Sequence, residues 1–348
     1  MEPRKSSTHI EKPEALLTDI ARLISESKSF VAQTVNGALT MLYWRIGKRI
    51  NEEVLEGKRA SYGKAVVATL GKQLSEQYGP SFSEKNIRRM MQFHEVFPDE
   101  AIVVSAIRQL SWTHFIALIP LKDPLQREFY AEMCRLEKWS VKTLREKIDS
   151  LLFERTAISK KPEKLIQQDL KALREEGTVT PDLVFRDPYI LDFLGLENTY
   201  SEKSLEEAIL RELERFILEL GQGFSFIQRQ KRMIIDGEDF KLDLLFYHRR
   251  LRRLVAIDLK LGKFKAAYKA QMELYLRWLE KHEMESGEEP PIGLILCAEG
   301  NKEQIELLQL GKSGIKVAEY LTELPDKGLL QQKLHAVIET ERKRIENL

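Results

Sequence analysis

DFKLDLLFYHRRLRRLVAIDLKLGKFK, residues 239–265, is the stretch whose reading decides the fold. Two apolar, strand-like runs, 240–247 and 254–261, flank a basic turn. Each run carries charge that an apolar core does not keep without a purpose: Asp243 in the first, Asp258-Leu259-Lys260 in the second. The period of two along a strand predicts that Lys241, Asp243 and Leu245 share one face, with Leu242, Leu244 and Phe246 on the other. In the second run Asp258 and Lys260 point together, opposite Val255, Ile257, Leu259 and Leu261. Adjacent strands would then bring Asp243, Asp258 and Lys260 to one side of a sheet. The plain alternative is a cross-strand ion pair on a solvated face.

The chemistry of these groups favours the first reading. Two carboxylates and the Leu259 carbonyl form an oxygen donor set suited to Mg²⁺ or Mn²⁺ rather than zinc. A metal beside a lysine is what hydrolysis of a phosphodiester needs. The cation acidifies a water, and Lys260 orients that water or offsets transition-state charge. Local charge points to the same partner. Residues 249–269 hold Arg249, Arg250, Arg252, Arg253, Lys260, Lys263, Lys265 and Lys269 against the single acid Asp258, a net +7 in a chain whose formal charge is +1. Arg229, Lys231 and Arg232 add to it on the preceding strand. Such a concentration is the footprint of phosphate-backbone binding, although the arginine run also reads as a polar hairpin end.

The rest of the chain bounds the possibilities. Its 348 residues favour two domains over one core. Cys134 and Cys297 are too few and too far apart for a disulfide framework, and suit a reduced compartment. The six histidines have no zinc-type spacing, and Cys297, inside GLILCAEG, reads as core. No apolar run approaches a membrane span, and the N-terminus lacks a signal-peptide core, so a cytoplasmic protein without membrane contact is expected.

Residues 13–155 read as an all-helical domain, with periodic segments at 38–54, 62–78, 83–97, 112–119, 124–136 and 140–153. The pair around 65–78 and 83–97 reads equally as a helix-turn-helix presenting Lys85, Arg88 and Arg89 to DNA, or as a helical hairpin with a solvated basic face. Trp44, Trp112 and Trp139 read as core anchors. Polar residues 156–180 read as a partly helical linker. From 181 to 348 the pattern becomes a helix at 205–220, strands at 224–235, 240–247 and 254–261 with a turn at Asp236-Gly237, a basic helix at 265–282, a strand at 292–297, and a last strand at 315–320 before a charged helix. That order predicts an α/β sandwich around a central mixed sheet, and α+β for the whole chain.

The quoted stretch, with FILELGQGFSFIQRQ (216–230) and AYKAQMELYLRWLE (267–280), resembles the PD-(D/E)XK nuclease superfamily, whose core is shared by restriction and tRNA endonucleases. More closely, the chain resembles the YhcG-like bacterial proteins, in which a helical domain precedes such a nuclease domain. By position Asp243 matches the first Asp of the motif, Asp258 the (D/E) and Lys260 the Lys, while Gln271 and Tyr275 match a Gln-x-x-x-Tyr element on the next helix. The fold's first helix usually supplies another acid. Glu206 is favoured over Glu207, because Ile209, Leu210 and Leu213 follow it at helical spacing. One departure is Asp258, where close relatives often carry Glu. The resemblance implies a Mg²⁺- or Mn²⁺-dependent endonuclease acting on nucleic acid, above all DNA, and is compatible with a homodimer. The alternatives are a nucleic-acid-binding module that retains the fold without cleaving, and an assembly scaffold.

Overall fold

The computed structural model describes residues 12–56, 60–196, 200–299, 302–308 and 310–346. Residues 1–11, on which the signal-peptide expectation falls, lie outside that set. The chain divides into two compact units, Met1–Arg145 and Glu146–Leu348.

The first unit is helical: α1 (Lys12–Glu56), α2 (Ala60–Tyr78), α3 (Glu84–Val96), α4 (Glu100–Ala106), α5 (Trp112–Leu118) and α6 (Pro124–Glu137), with α7 (Val141–Asp149) running across the boundary. α1 is much longer than the periodic segment 38–54; it begins at Lys12, and its described side chains from 17 to 36 are exposed. The centre of the unit is the crossing of α1 and α3. Gly47 permits it, since a Cβ there would stand 1.9 Å from the Met90 carbonyl oxygen. Trp44 Nε1 donates to the Phe97 carbonyl at 2.7 Å, and Asn51 Nδ2 to that of Met91 at 3.0 Å. Ile87, Met90 and Phe93 are fully covered, and Phe93 stacks on Phe115 with centroids 4.6 Å apart. α4 is not among the periodic segments, having Val103 as its one buried residue; Asp99 caps it by accepting from Ala101 N at 2.8 Å. Lys85 and Arg88 on α3 are exposed, and Arg88 pairs with Glu84 at 2.6 Å.

The second unit contains α8 (Leu152–Arg155), α9 (Glu163–Glu175), α10 (Pro181–Val184), β1 (Tyr189–Ile190), α11 (Glu202–Arg211), α12 (Leu213–Leu220), β2 (Phe224–Ile235), β3 (Glu238–His248), β4 (Arg253–Lys263), α13 (Ala266–His282), β5 (Ile292–Glu299), α14 (Lys302–Leu307), β6 (Ile315–Leu321) and α15 (Lys327–Glu346). The strands form one mixed sheet in the order β1-β6-β5-β4-β3-β2. β4 is parallel to β5 and antiparallel to β3, and β2–β3 is an antiparallel hairpin. Asp236 and Gly237 close that hairpin with φ of 50° and 83°, the double positive φ of a type I′ turn.

Two cores sandwich the sheet. Val255, Ile257 and Leu259 of β4 face the core shared with α11 and α12, while Leu254 and Ala256 face the one shared with α13. In β3 the alternation holds only in part. Leu244 and Phe246 enter the first core, but Leu242 packs in the second beside Leu245. Strict alternation would have kept Leu242 with Leu244. The break falls at Asp243, where the opposing residue Gln230 has φ of 46° and the hairpin arm twists away from β4.

Residues 156–180 do not form a free linker. Ile158, Ile166, Leu170 and Leu173 are fully buried, Thr156 bridges to Arg186, and Ala157 N donates to Phe185 O at 3.0 Å. Arg155 (1% exposed) lies 2.5 Å from Glu219 of α12, which also pairs with Arg186 at 3.1 Å. The charged face of α9 hides this packing in the composition, because a surface helix is mostly polar by count. The expected single helix at 205–220 is likewise two, α11 and α12, broken at Glu212.

Candidate active site

β3 and β4 are paired from His248↔Arg253 to Leu244↔Ile257, and there the ladder stops. Beyond it the two strands diverge, and the charged groups stand in the fork. Asp243 replaces the missing ladder bond: its Oδ2 accepts from Leu259 N at 2.8 Å. Asp258, 2% exposed, follows Ile257 on the side of the α13 core. Lys260 Nζ lies 2.8 Å from Asp258 Oδ2 and 5.3 Å from the centre of the Tyr268 ring. The Lys260–Asp258 contact is close enough for an ion pair but misaligned for a hydrogen bond, so this buried oxygen has no hydrogen-bond partner.

The third acid enters through an amide. Gln230 Nε2 donates to Glu206 Oε2 at 2.6 Å and to Asp243 Oδ1 at 3.3 Å. Glu206 on α11 is nearly covered, whereas Glu207 is exposed and 3.9 Å from Lys203. Glu206, Gln230, Asp243 and Arg229 line a cleft of about 690 Å³. A second α11 acid, Glu202, accepts from Leu261 N at 3.1 Å. Glu202, Glu206, Gln230, Asp243, Asp258 and Lys260 thus gather at one end of the fork.

The electrostatics follow from burial and crowding. Burial pushes the Asp258 carboxyl up to about 7; Lys260 opposes this, and the neighbouring Asp243 adds to it. Glu206 is raised by burial and by Asp243, against the hydrogen bond from Gln230. Burial alone would lower Lys260, but the carboxylates of Asp258, Asp243 and Glu202 hold its ammonium above the usual value. One more positive charge would ease the crowding of Asp258, Glu206 and Asp243, while repelling the Lys260 ammonium. Among the described residues no three His, Cys, Asp or Glu side chains form a ready metal cluster. The oxygen donors of Asp243 and Asp258 nevertheless fit a hard divalent cation, and Asp258 Oδ2, buried without a hydrogen bond, is the atom such a cation would satisfy.

Other sequence-derived candidates fall into three places. Gln271 and Tyr275 sit behind the fork. Gln271 Nε2 donates to the Tyr275 hydroxyl at 2.6 Å, which donates to the Lys241 carbonyl at 3.1 Å. The tyrosine therefore anchors β3 beside Asp243, its hydroxyl already engaged. Lys263 and Lys265 follow Lys260 and are exposed, with Lys263 3.6 Å from Glu299. Lys269 donates to the Leu308 carbonyl at 3.1 Å, and Lys231 pairs with Glu283 at 2.7 Å.

The arginine run is not brought to the fork. Arg249, Arg250, Arg252 and Arg253 occupy the β3–β4 turn, about 17 Å up the strands from Asp258 at ~3.3 Å per residue. Arg252 and Arg253 each lie 3.7 Å from Glu289. Charge summed along the sequence merged the two ends of one strand.

Gln230 is the residue that strand parity overlooked, yet the hairpin contains its signal. The turn at Asp236-Gly237 pairs Ile235 with Glu238. Counting outward from there places Gln230 opposite Asp243, provided the bulge between Phe226 and Gln228 lies beyond it, as it does.

A helix, three antiparallel strands, a helix and a parallel strand, with acid, acid and lysine at a strand fork, define the class of PD-(D/E)XK nuclease folds. Residues 182–335 match the family described as YhcG PDDEXK nuclease domain, and residues 19–155 match the DUF1016 N-terminal domain. The Escherichia coli (strain K12) protein named "Putative nuclease YhcG" is 34% identical over 346 residues, covering 90% of this chain and 92% of that one. The chain belongs to the YhcG family of PD-(D/E)XK nucleases. Among solved structures, a repair endonuclease from Pyrococcus abyssi shares 21% identity over 37% of this chain and 50% of its own, with a TM-score of 0.26. The EndoMS–dsDNA2 complex shares 18% over 37% and 49%, also at 0.26. No helix among the described residues is long and apolar enough to cross a membrane.

Proposed function

We propose that this protein is a divalent-metal-dependent endonuclease acting on DNA, with Asp243 and Asp258 as metal ligands, the Leu259 carbonyl as a further oxygen donor, and Lys260 beside the scissile phosphate. The observation that carries the reading is the convergence of Glu206, Gln230, Asp243, Asp258 and Lys260 at the point where β3 and β4 part. A Mg²⁺ or Mn²⁺ ion bound there would supply Lewis-acid charge to the phosphate and lower the pKa of a water. The protein's own groups do the rest. The two aspartates present oxygens from rigid strands, one tethered by the Leu259 amide. The Lys260 ammonium offsets the charge that develops on the phosphate oxygens. Glu206, with its raised proton affinity and its place on the open side of the cleft, suits a group that takes up a proton from a water. Gln230 holds it there, and Tyr275 braces β3 behind the site. Arg229 at the cleft, with Lys263 and Lys265 beyond it, meets the backbone of the substrate.

The test is to incubate the purified chain with plasmid, branched and single-stranded DNA, and with RNA, each with Mg²⁺, Mn²⁺ or EDTA. Asp258→Ala and Lys260→Ala run alongside. Metal-dependent DNA cleavage that falls by on the order of 10²–10³-fold in both variants is expected. Absence of cutting on every substrate, or equal cutting by the variants, overturns the reading. Salt-sensitive binding that survives in the variants without any cutting would instead support a binding module.

A further inference from the structure

α1 presents a face that nothing in the described chain covers. From Gly37 onward the helix enters the helical unit, with Thr40, Tyr43, Trp44, Ile50 and Asn51 buried. Before Gly37, every described side chain from 17 to 36 is exposed. The apolar ones are not scattered. Leu17 and Leu39 stand twenty-two apart with Lys28 midway, Ile20, Val31 and Leu42 stand eleven apart, and so do Ile24 and Val35. Eleven residues make three turns at 3.67 per turn, so the stripe stays on one side of a nearly straight helix. Over residues 17–42 it runs for about 38 Å. A lone helix of mixed composition is marginal in water, and one with an uncovered apolar side is more so.

We propose that this stripe is a homodimer interface, in which α1 packs against α1 of a second copy of this chain. Three properties select that occupant. The apolar residues of the stripe are 40–68% exposed. Covering the stripe's own apolar residues would remove up to roughly 700 Å² per copy, at the lower end of what a specific dimer of standard size buries. An apolar stripe is self-complementary, so a two-fold pairing closes without leaving a further edge. Taken together, residues 17–36 carry Arg22 and Lys28 against Asp19 and Glu26, a net charge of zero. A helix lying on anionic lipid would instead be rich in lysine and arginine. Lys28 is the single charge within the stripe, and it limits the affinity as a lone polar residue does in a coiled-coil seam. The inference goes beyond the nuclease reading and is measured without activity.

The test is sedimentation velocity on the full chain over a concentration series, where the monomer weighs 40.5 kDa. A concentration-dependent species of twice that mass is expected. The double variant Ile24→Asp/Val31→Asp should raise the dissociation constant by roughly 100-fold or more. Both residues are exposed in the single chain, so its far-UV circular dichroism should keep the folded signature outside this segment. Lys28→Leu should tighten the dimer by about tenfold. A chain that is monomeric at every concentration, or a dimer indifferent to both variants, overturns the proposal. So does a monomer that binds phosphatidylserine vesicles through the same residues.

Discussion

At the scale of single residues, the site is a set of groups that crowd one another. Glu206 and Asp243 share one donor, Gln230, whose φ of 46° is a conformation a side-chain-bearing residue adopts at a cost. Gln230→Ala should leave the hairpin folded but let both carboxylates drift. We expect cleavage to fall by about 10–100-fold, with weaker Mn²⁺ binding by isothermal titration; unchanged metal affinity would show that the amide positions nothing. A second residue, His248, makes a pH prediction remote from the fork. Burial lowers its pKa from 6.5 to about 4, with Arg250 and Arg253 adding to the effect against the Gln222 carbonyl. A base held neutral in the fold contributes stability that is complete above pH 6.5 and declines as pH falls from 6.5 toward 4. The loss amounts to about 3 kcal/mol at its limit. His248→Asn takes up no proton, so the protection factors of β3 and β4 amides, corrected for intrinsic exchange, should fall less between pH 7 and pH 4.5 than in the parent. An equal loss of protection would assign the acid sensitivity elsewhere. The carboxylates and Lys260 were legible from their neighbours in the strands, because charge inside apolar alternation is a local signal. Gln230 was not, because an amide in a polar strand looks like surface until the register sets it opposite Asp243.

At the scale of elements, close backbone approach and buried charge do the fixing. α1 and α3 cross at Gly47, where a methyl group would meet the Met90 carbonyl rather than a movable side chain. Gly47→Ala should therefore cost about 3 kcal/mol or more, read as an earlier thermal transition of the helical signal; an unchanged transition would mean that the helices part cheaply. In the second unit Glu219 holds two buried guanidinium groups, Arg155 and Arg186. Removing it leaves both uncompensated, so Glu219→Ala should destabilise that unit by about 3–5 kcal/mol in urea unfolding. A loss below about 1 kcal/mol, the range of a surface pair, would show the arginines finding water instead. The I′ turn, the three strands and the helix that follows them were readable from turn chemistry and alternation. The break at Glu212 and α4 were not, since the apolar pattern runs on through Glu212 and α4 buries only Val103.

At the scale of the molecule, Glu146–Leu348 is one compact unit, and its first thirty-five residues belong to it. We expect a fragment of residues 146–348 to unfold in a single transition. A fragment beginning at 182, which lacks Arg155, Ile158, Ile166 and Leu170, should aggregate or melt without one. If the shorter fragment is equally stable, segment 156–180 is the free linker that its composition suggests. The sequence by itself determined the class of each half, the strand pair that bears the two aspartates and the lysine, and the family likeness. These rest on period, turn residues and motif, all of which are local along the chain. Only the tertiary structure decided that the ladder ends at Leu244↔Ile257 and opens a fork for the carboxylates. It also set the arginine turn at the far end of the strands, placed Gln230 between two acids, and left the first half of α1 uncovered. Those are questions of which surfaces meet, and a chain settles them only when distant segments compete for the same apolar area.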